Sequence, residues 1–105
     1  MGFLGDIMPA ATRLNDNSTG HPHCYPARPV VEGSPNVFTN GRNSVRSGDA
    51  WAVHGACVAH SPHGGSSSSG SSTVFINGKP AVRIGDSISC GDAVAEGSPN
   101  VFIGG

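Results

Sequence analysis

The chain has 105 residues, a formal net charge of −1 and a hydrophobic fraction of 36%, with 16 glycines and 8 prolines. That length suits a single domain, 1–105, whose core can bury little apolar surface, so a second source of stability is expected. The charge balance offers no Lys/Arg stripe to nucleic acid, and no run approaches the roughly 20 apolar residues of a membrane span.

Residues 1–8 lack the charged and apolar regions of a signal peptide, so synthesis in a cytoplasm, with any export by another route, is expected. From there, Pro9-Ala10-Ala11-Thr12-Arg13-Leu14-Asn15-Asp16 reads as the back half of a unit that recurs downstream. Glu-Gly-Ser-Pro-Asn-Val-Phe occupies 32–38 and returns at 96–102, with a looser copy, Gly70-Ser71-Ser72-Thr73-Val74-Phe75, between them. Residues 38–49 align with 75–86 without a gap. The chain thus parses as three cycles, each running from a Pro-Ala-x-Arg-x-Gly-Asp-like segment through a loop of variable length to Gly-Ser-x-x-Val-Phe. Such repetition means one supersecondary unit packed against copies of itself.

Each unit reads as a β-hairpin. Val74-Phe75-Ile76 is a β-branched and aromatic run, Asn77-Gly78 supplies the positive φ of a type I′ turn, and a second short strand follows; Asn40-Gly41 repeats the signal. Helical spacing is sustained nowhere, so the fold class is all-β, with short strands in three pseudo-threefold units. The Gly/Ser-rich stretch 64–72 is expected to be a surface loop inside the same domain. Asp16, Asp49 and Asp86 recur where a turn must close, and are expected to accept backbone amides rather than to act as catalytic carboxylates. Arg13, Arg46 and Arg83 precede them by three residues and suit ion pairs or carbonyl contacts between neighbouring units, or else a solvated face.

Three cysteines cannot all pair within one chain, and five histidines accompany them. His21 and His54 fall five residues after Asp16 and Asp49, and Cys90 falls four after Asp86. One place in each unit therefore carries a residue able to bind a soft divalent metal, and a threefold arrangement brings those places together near its axis. His63, from the long loop of the second cycle, can supply a fourth ligand. Three histidines and one cysteine fit tetrahedral zinc, with iron as an alternative, and a poor core is the setting in which a metal staple is needed. His23 and Cys24 compete with His21, and His60 and Cys57 with His63, but they break the repeat register. Cys24 and Cys57 otherwise suit small buried thiols. Trp51 is expected either to shield one side of the metal loop or to pack in the core.

Pro80-Ala81-Val82-Arg83-Ile84-Gly85-Asp86 and Gly97-Ser98-Pro99-Asn100-Val101-Phe102-Ile103-Gly104, together with Gly20-His21, Trp51-Ala52-Val53-His54, His63-Gly64 and Ser89-Cys90, resemble a PAAR-repeat protein over residues 8–105. The tetrad that gives that family its name appears here as Pro80-Ala81-Val82-Arg83 and, more degraded, as Asn43-Ser44-Val45-Arg46. The resemblance implies a small cone of β-hairpins, with zinc near its apex bound by three histidines and one cysteine. It also implies that the base sits on a trimeric β-helical spike, either of a contractile phage tail or of a type VI secretion apparatus. On that expectation one chain caps a homotrimer, meets the target membrane only by mechanical piercing, and performs no turnover chemistry. The competing expectations are an adaptor carrying noncovalently bound effectors and a zinc hydrolase, the latter disfavoured because four protein ligands leave no position for water.

Overall fold

Two consecutive residues with positive φ turn the chain back on itself with the twist that antiparallel strands require. Asn40 and Gly41 adopt φ of 55° and 77°, and Asn77 and Gly78 adopt 55° and 79°. Around the first turn β1 (Phe38–Thr39) pairs with β2 (Arg42–Asn43). Next come β3 (Ala50–His54) and β4 (His63–Ser66), and the second Asn-Gly turn joins β5 (Phe75–Ile76) to β6 (Lys79–Pro80). The structure is a computed structural model that describes residues 8–55 and 61–105. Among them every regular element is a β-strand, as the sequence leads one to expect.

The units meet through their Arg-containing segments, and the hydrogen bonds close on themselves. The Thr12 amide donates to the Val82 carbonyl at 3.0 Å, Val82 to Val45 at 3.0 Å, and Val45 to Thr12 at 3.2 Å. The same circuit recurs one step along the chain, where Leu14 N–H donates to Asn43, Ser47 to Pro80, and Ile84 to Ala10. Antiparallel bridges Arg13↔Ser44, Arg46↔Ala81 and Arg83↔Ala11 follow the same order. A third hairpin, which the sequence leaves as a half unit, is completed by the other end of the chain. Ala10 bridges Phe102, as Asn43 pairs Phe38 and Pro80 pairs Phe75.

Each turn is fastened by side chains. The carboxylates of Asp16, Asp49 and Asp86 each accept the amide and the guanidinium of the arginine three residues earlier at 2.7–3.1 Å. The aspartates are therefore turn residues, as expected; these three ion pairs lie within units, while Arg42 Nη2 of the second unit pairs with Asp16 Oδ1 of the first at 3.0 Å. The remaining guanidinium nitrogen reaches across to the next hairpin: Arg13 to Asn40 Oδ1, Arg46 to Asn77 Oδ1 and Arg83 to the Gly104 carbonyl. Hydrogen bonding to Asp16 and Asp49 raises the Arg13 and Arg46 pKa values further, against a smaller opposing effect of burial. At the start of each hairpin, Ser34, Ser71 and Ser98 accept two amides with one hydroxyl oxygen at 2.9–3.2 Å.

The core is small, as the composition dictates. Val30, Val45, Trp51, Val82, Ile88 and Val94 form its apolar cluster, and Cys90 packs against it. One expectation needs correction here. Residues 64–72 are not a loose surface loop: Gly64-Gly65-Ser66 runs in β4, Ser67 bridges Ile88, and Ser71 is buried. Small side chains allow this, since a Cβ at Gly70 would stand 2.7 Å from the Ala81 carbonyl oxygen. Of the two places expected for Trp51 the structure shows the core: it is 3% exposed and its indole N–H donates to Ser67 Oγ at 2.8 Å, while Tyr25 covers the histidines.

Candidate metal centre

The β3–β4 ladder places His54 directly opposite His63, so both rings leave the same face of one hairpin. A register shift between Trp51 and His54 re-aims the end of β3. His21 comes from a tight turn in which its amide donates to the Tyr25 carbonyl at 2.8 Å. Gly20 makes that turn possible: its φ is +75°, and an added Cβ would stand 2.7 Å from the Tyr25 oxygen. Cys90 sits in the turn closed by the Gly91 amide on the Ile88 carbonyl at 3.1 Å.

These four side chains, the four singled out in the sequence, come together. His21 Nε2 lies 3.2 Å from His54 Nε2 and 3.1 Å from His63 Nε2, and the latter two stand 2.8 Å apart. Cys90 Sγ is 4.0 Å from His54 Nε2, and all four ligand atoms lie within 4.8 Å of one another. Ligand nitrogens around a tetrahedral ion at ~2.0–2.1 Å would stand ~3.4 Å apart, so this spacing and donor set fit a zinc-sized cation. His54 Nδ1 donates to the Pro26 carbonyl at 2.8 Å, which fixes the tautomer and leaves the Nε2 lone pair facing the centre. Tyr25 stacks on His21 and His63 at centroid distances of 4.6 and 4.3 Å, and its hydroxyl donates to the Ser61 carbonyl. Burial lowers the His63 pKa below its ordinary value, helped by the nearby His54, His21 and Arg28. The shift favours the neutral imidazole that a metal requires.

The competing residues fare differently. His23 is exposed and stands outside the cluster. Cys24 is exposed and disulfide-bonded, which corrects its reading as a buried thiol and leaves it no thiolate to offer. Cys57 and His60 lie outside the described residues.

Sequence reasoning missed two charged residues beside the centre. Arg28 is 2% exposed and donates from Nη2 to Cys90 Sγ at 2.8 Å and from Nη1 to the Ala52 carbonyl at 2.7 Å. Asp92, also 2% exposed, faces Arg28 Nε at 3.4 Å. Burial by itself would raise the Asp92 carboxyl, but hydrogen bonds from Ser18, the Ala93 amide and Thr19, with the charge of Arg28, hold it below the usual carboxylate range. Both residues stand outside the repeated Arg-x-x-Asp pairs, and in a chain only 12% charged that mismatch was the available signal.

Residues 59–105 match the PAAR motif family. The family resemblance read from the sequence is thereby supported over residues 59–105. PAAR motifs belong to a protein family associated with the spike tips of contractile injection systems, in phage tails and type VI secretion machinery. No curated protein matches the chain.

Proposed function

We propose that this protein is a metal-stapled tip that caps a trimeric β-helical spike of a contractile injection machine and helps it to pierce a target envelope. The observation that carries this reading is the closed circuit of backbone hydrogen bonds through Thr12, Val82 and Val45. A circuit of equivalent groups gives one chain three nearly equivalent faces, and such an object suits a partner with a threefold axis. Each unit also presents an exposed valine and phenylalanine: Val37 and Phe38, Val74 and Phe75, Val101 and Phe102. Apolar pairs repeated in this way offer each spike chain the same foothold and cover its open strand ends.

The metal, zinc first and iron as the alternative, is held by His21, His54, His63 and Cys90, and its contribution is stability. With four side chains around the ion the site acts as a structural centre, and the protein works through its shape rather than through hydrolysis. Native mass measurement of the protein mixed with its spike tests the reading. One chain per spike trimer with one metal ion per chain is expected; three chains per trimer would overturn the cap.

A further inference from the structure

Resting on that metal reading, we propose that Arg28 is the positioning residue of the centre. It is not a ligand; it holds the Cys90 sulfur by a hydrogen bond and braces the turn carrying Cys90 against the hairpin carrying His54 and His63. Its Nη2 donates to Cys90 Sγ at 2.8 Å, while Nη1 donates to Ala52 O at 2.7 Å and approaches His63 O at 3.5 Å. One planar group thus touches the sulfur ligand and the backbone on both strands of the histidine hairpin. The fork geometry of a guanidinium allows this, whereas an ammonium is a point donor.

Burying a guanidinium beside a cation site requires a reason. Three neutral imidazoles and one thiolate leave a divalent ion with one net positive charge, and Arg28 would add another. Asp92 offsets it: its Oδ2 faces Arg28 Nε at 3.4 Å, and neither of these atoms has a hydrogen-bond partner. The pair is therefore held by charge, and the hydrogen-bonding edge of the guanidinium is turned toward the sulfur. Space for it is reserved by Gly65, where a Cβ would stand 2.8 Å from Arg28 Nη2. A hydrogen bond to a thiolate lowers the energy of its lone pairs, weakens their donation to a metal and protects the sulfur, as outer-shell partners do at metal sites generally.

Cobalt(II) reports on this directly, because its thiolate charge-transfer band reads the sulfur lone pair. Arg28→Met, loaded with one equivalent of cobalt, should show that band at longer wavelength than the unmodified protein. Chelator should extract the cobalt at least roughly tenfold faster, and Arg28→Lys should restore part of both. Gly65→Ala, which keeps the charge but displaces Nη2, should shift the band in the same direction, and it decides the matter alone if Arg28→Met does not fold. An unchanged band and unchanged extraction in the folded variants would overturn the role of Arg28. A native protein that takes up cobalt without any thiolate band would instead overturn the centre itself, and this role with it.

Discussion

The Nε2 atoms of His54 and His63 stand 2.8 Å apart across the β3–β4 hairpin. With the His54 proton committed to the Pro26 carbonyl, its lone pair confronts a second imidazole, and His21 closes in on both. A cation bound among the three rings would resolve that confrontation. Cys90→Ser should therefore lower metal content and melting temperature together, by roughly 10–20 °C if about 2–3 kcal/mol is lost. Metal analysis and calorimetry on the same preparation check it; full occupancy in the variant would contradict the ligand set.

Acid should act on the metal-free protein through His63. Its folded pKa lies below 6.5, the ordinary value, so between the two the unfolded chain takes up a proton that the folded chain refuses. Stability from this group is complete above pH 6.5 and falls as the pH drops below it. Urea midpoints of chelator-treated protein across that range measure the slope, and His63→Gln should flatten it.

Asp49 is 1% exposed and accepts three hydrogen bonds from Arg46. Asp49→Asn would turn an amide NH2 toward a guanidinium and leave a buried charge uncompensated, at a cost of about 3 kcal/mol. The loss should appear in chemical denaturation, while metal content stays at that of the native protein. Spike seating per folded molecule should be unchanged, which separates a turn residue from a catalytic one.

Ser71 Oγ accepts the amides of Thr73 and Val74 and donates to the Gly104 carbonyl at 2.6 Å. Ser71→Ala strands the two amides and leaves the Gly104 carbonyl only its bond from Arg83, and should cost about 1–3 kcal/mol, read from equilibrium unfolding.

Phe38, Phe75 and Phe102 are each more than half exposed. Changing one to Asp should leave the melting temperature within about a degree or two, because little packing is lost. Seating on the spike should weaken with each further change, as size-exclusion chromatography of the mixture would report.

The repeat made much of this legible. Asn-Gly turns announce their own backbone, and spacing after Asp16, Asp49 and Asp86 pointed to His21, His54 and Cys90. Residues 64–72 were misread because Gly and Ser signal looseness in sequence, whereas here their small size lets backbones approach closely. Arg28 and Asp92 belong to no repeat, so no periodicity could pair them; only the folded chain brings them together. Of the two places open to Trp51 the fold takes the core, and Tyr25 lies over the histidines, since spacing says which aromatic lies near a ligand in the chain and not which ring lies over it.

The pairing of Ala10 with Phe102 carries a consequence for how the protein comes into being. The third hairpin cannot be completed until residue 103 has left the ribosome, because the Ile103 amide donates to the Pro9 carbonyl at 2.9 Å. Until then the side of Pro9-Ala10-Ala11 that faces residues 98–103 waits unpaired, and closure must join segments separated by nearly the whole described chain. Contacts so distant in sequence make for slow folding. A metal ion bound first by the local His54–His63 hairpin would shorten that search by gathering the His21 and Cys90 turns before the ends meet.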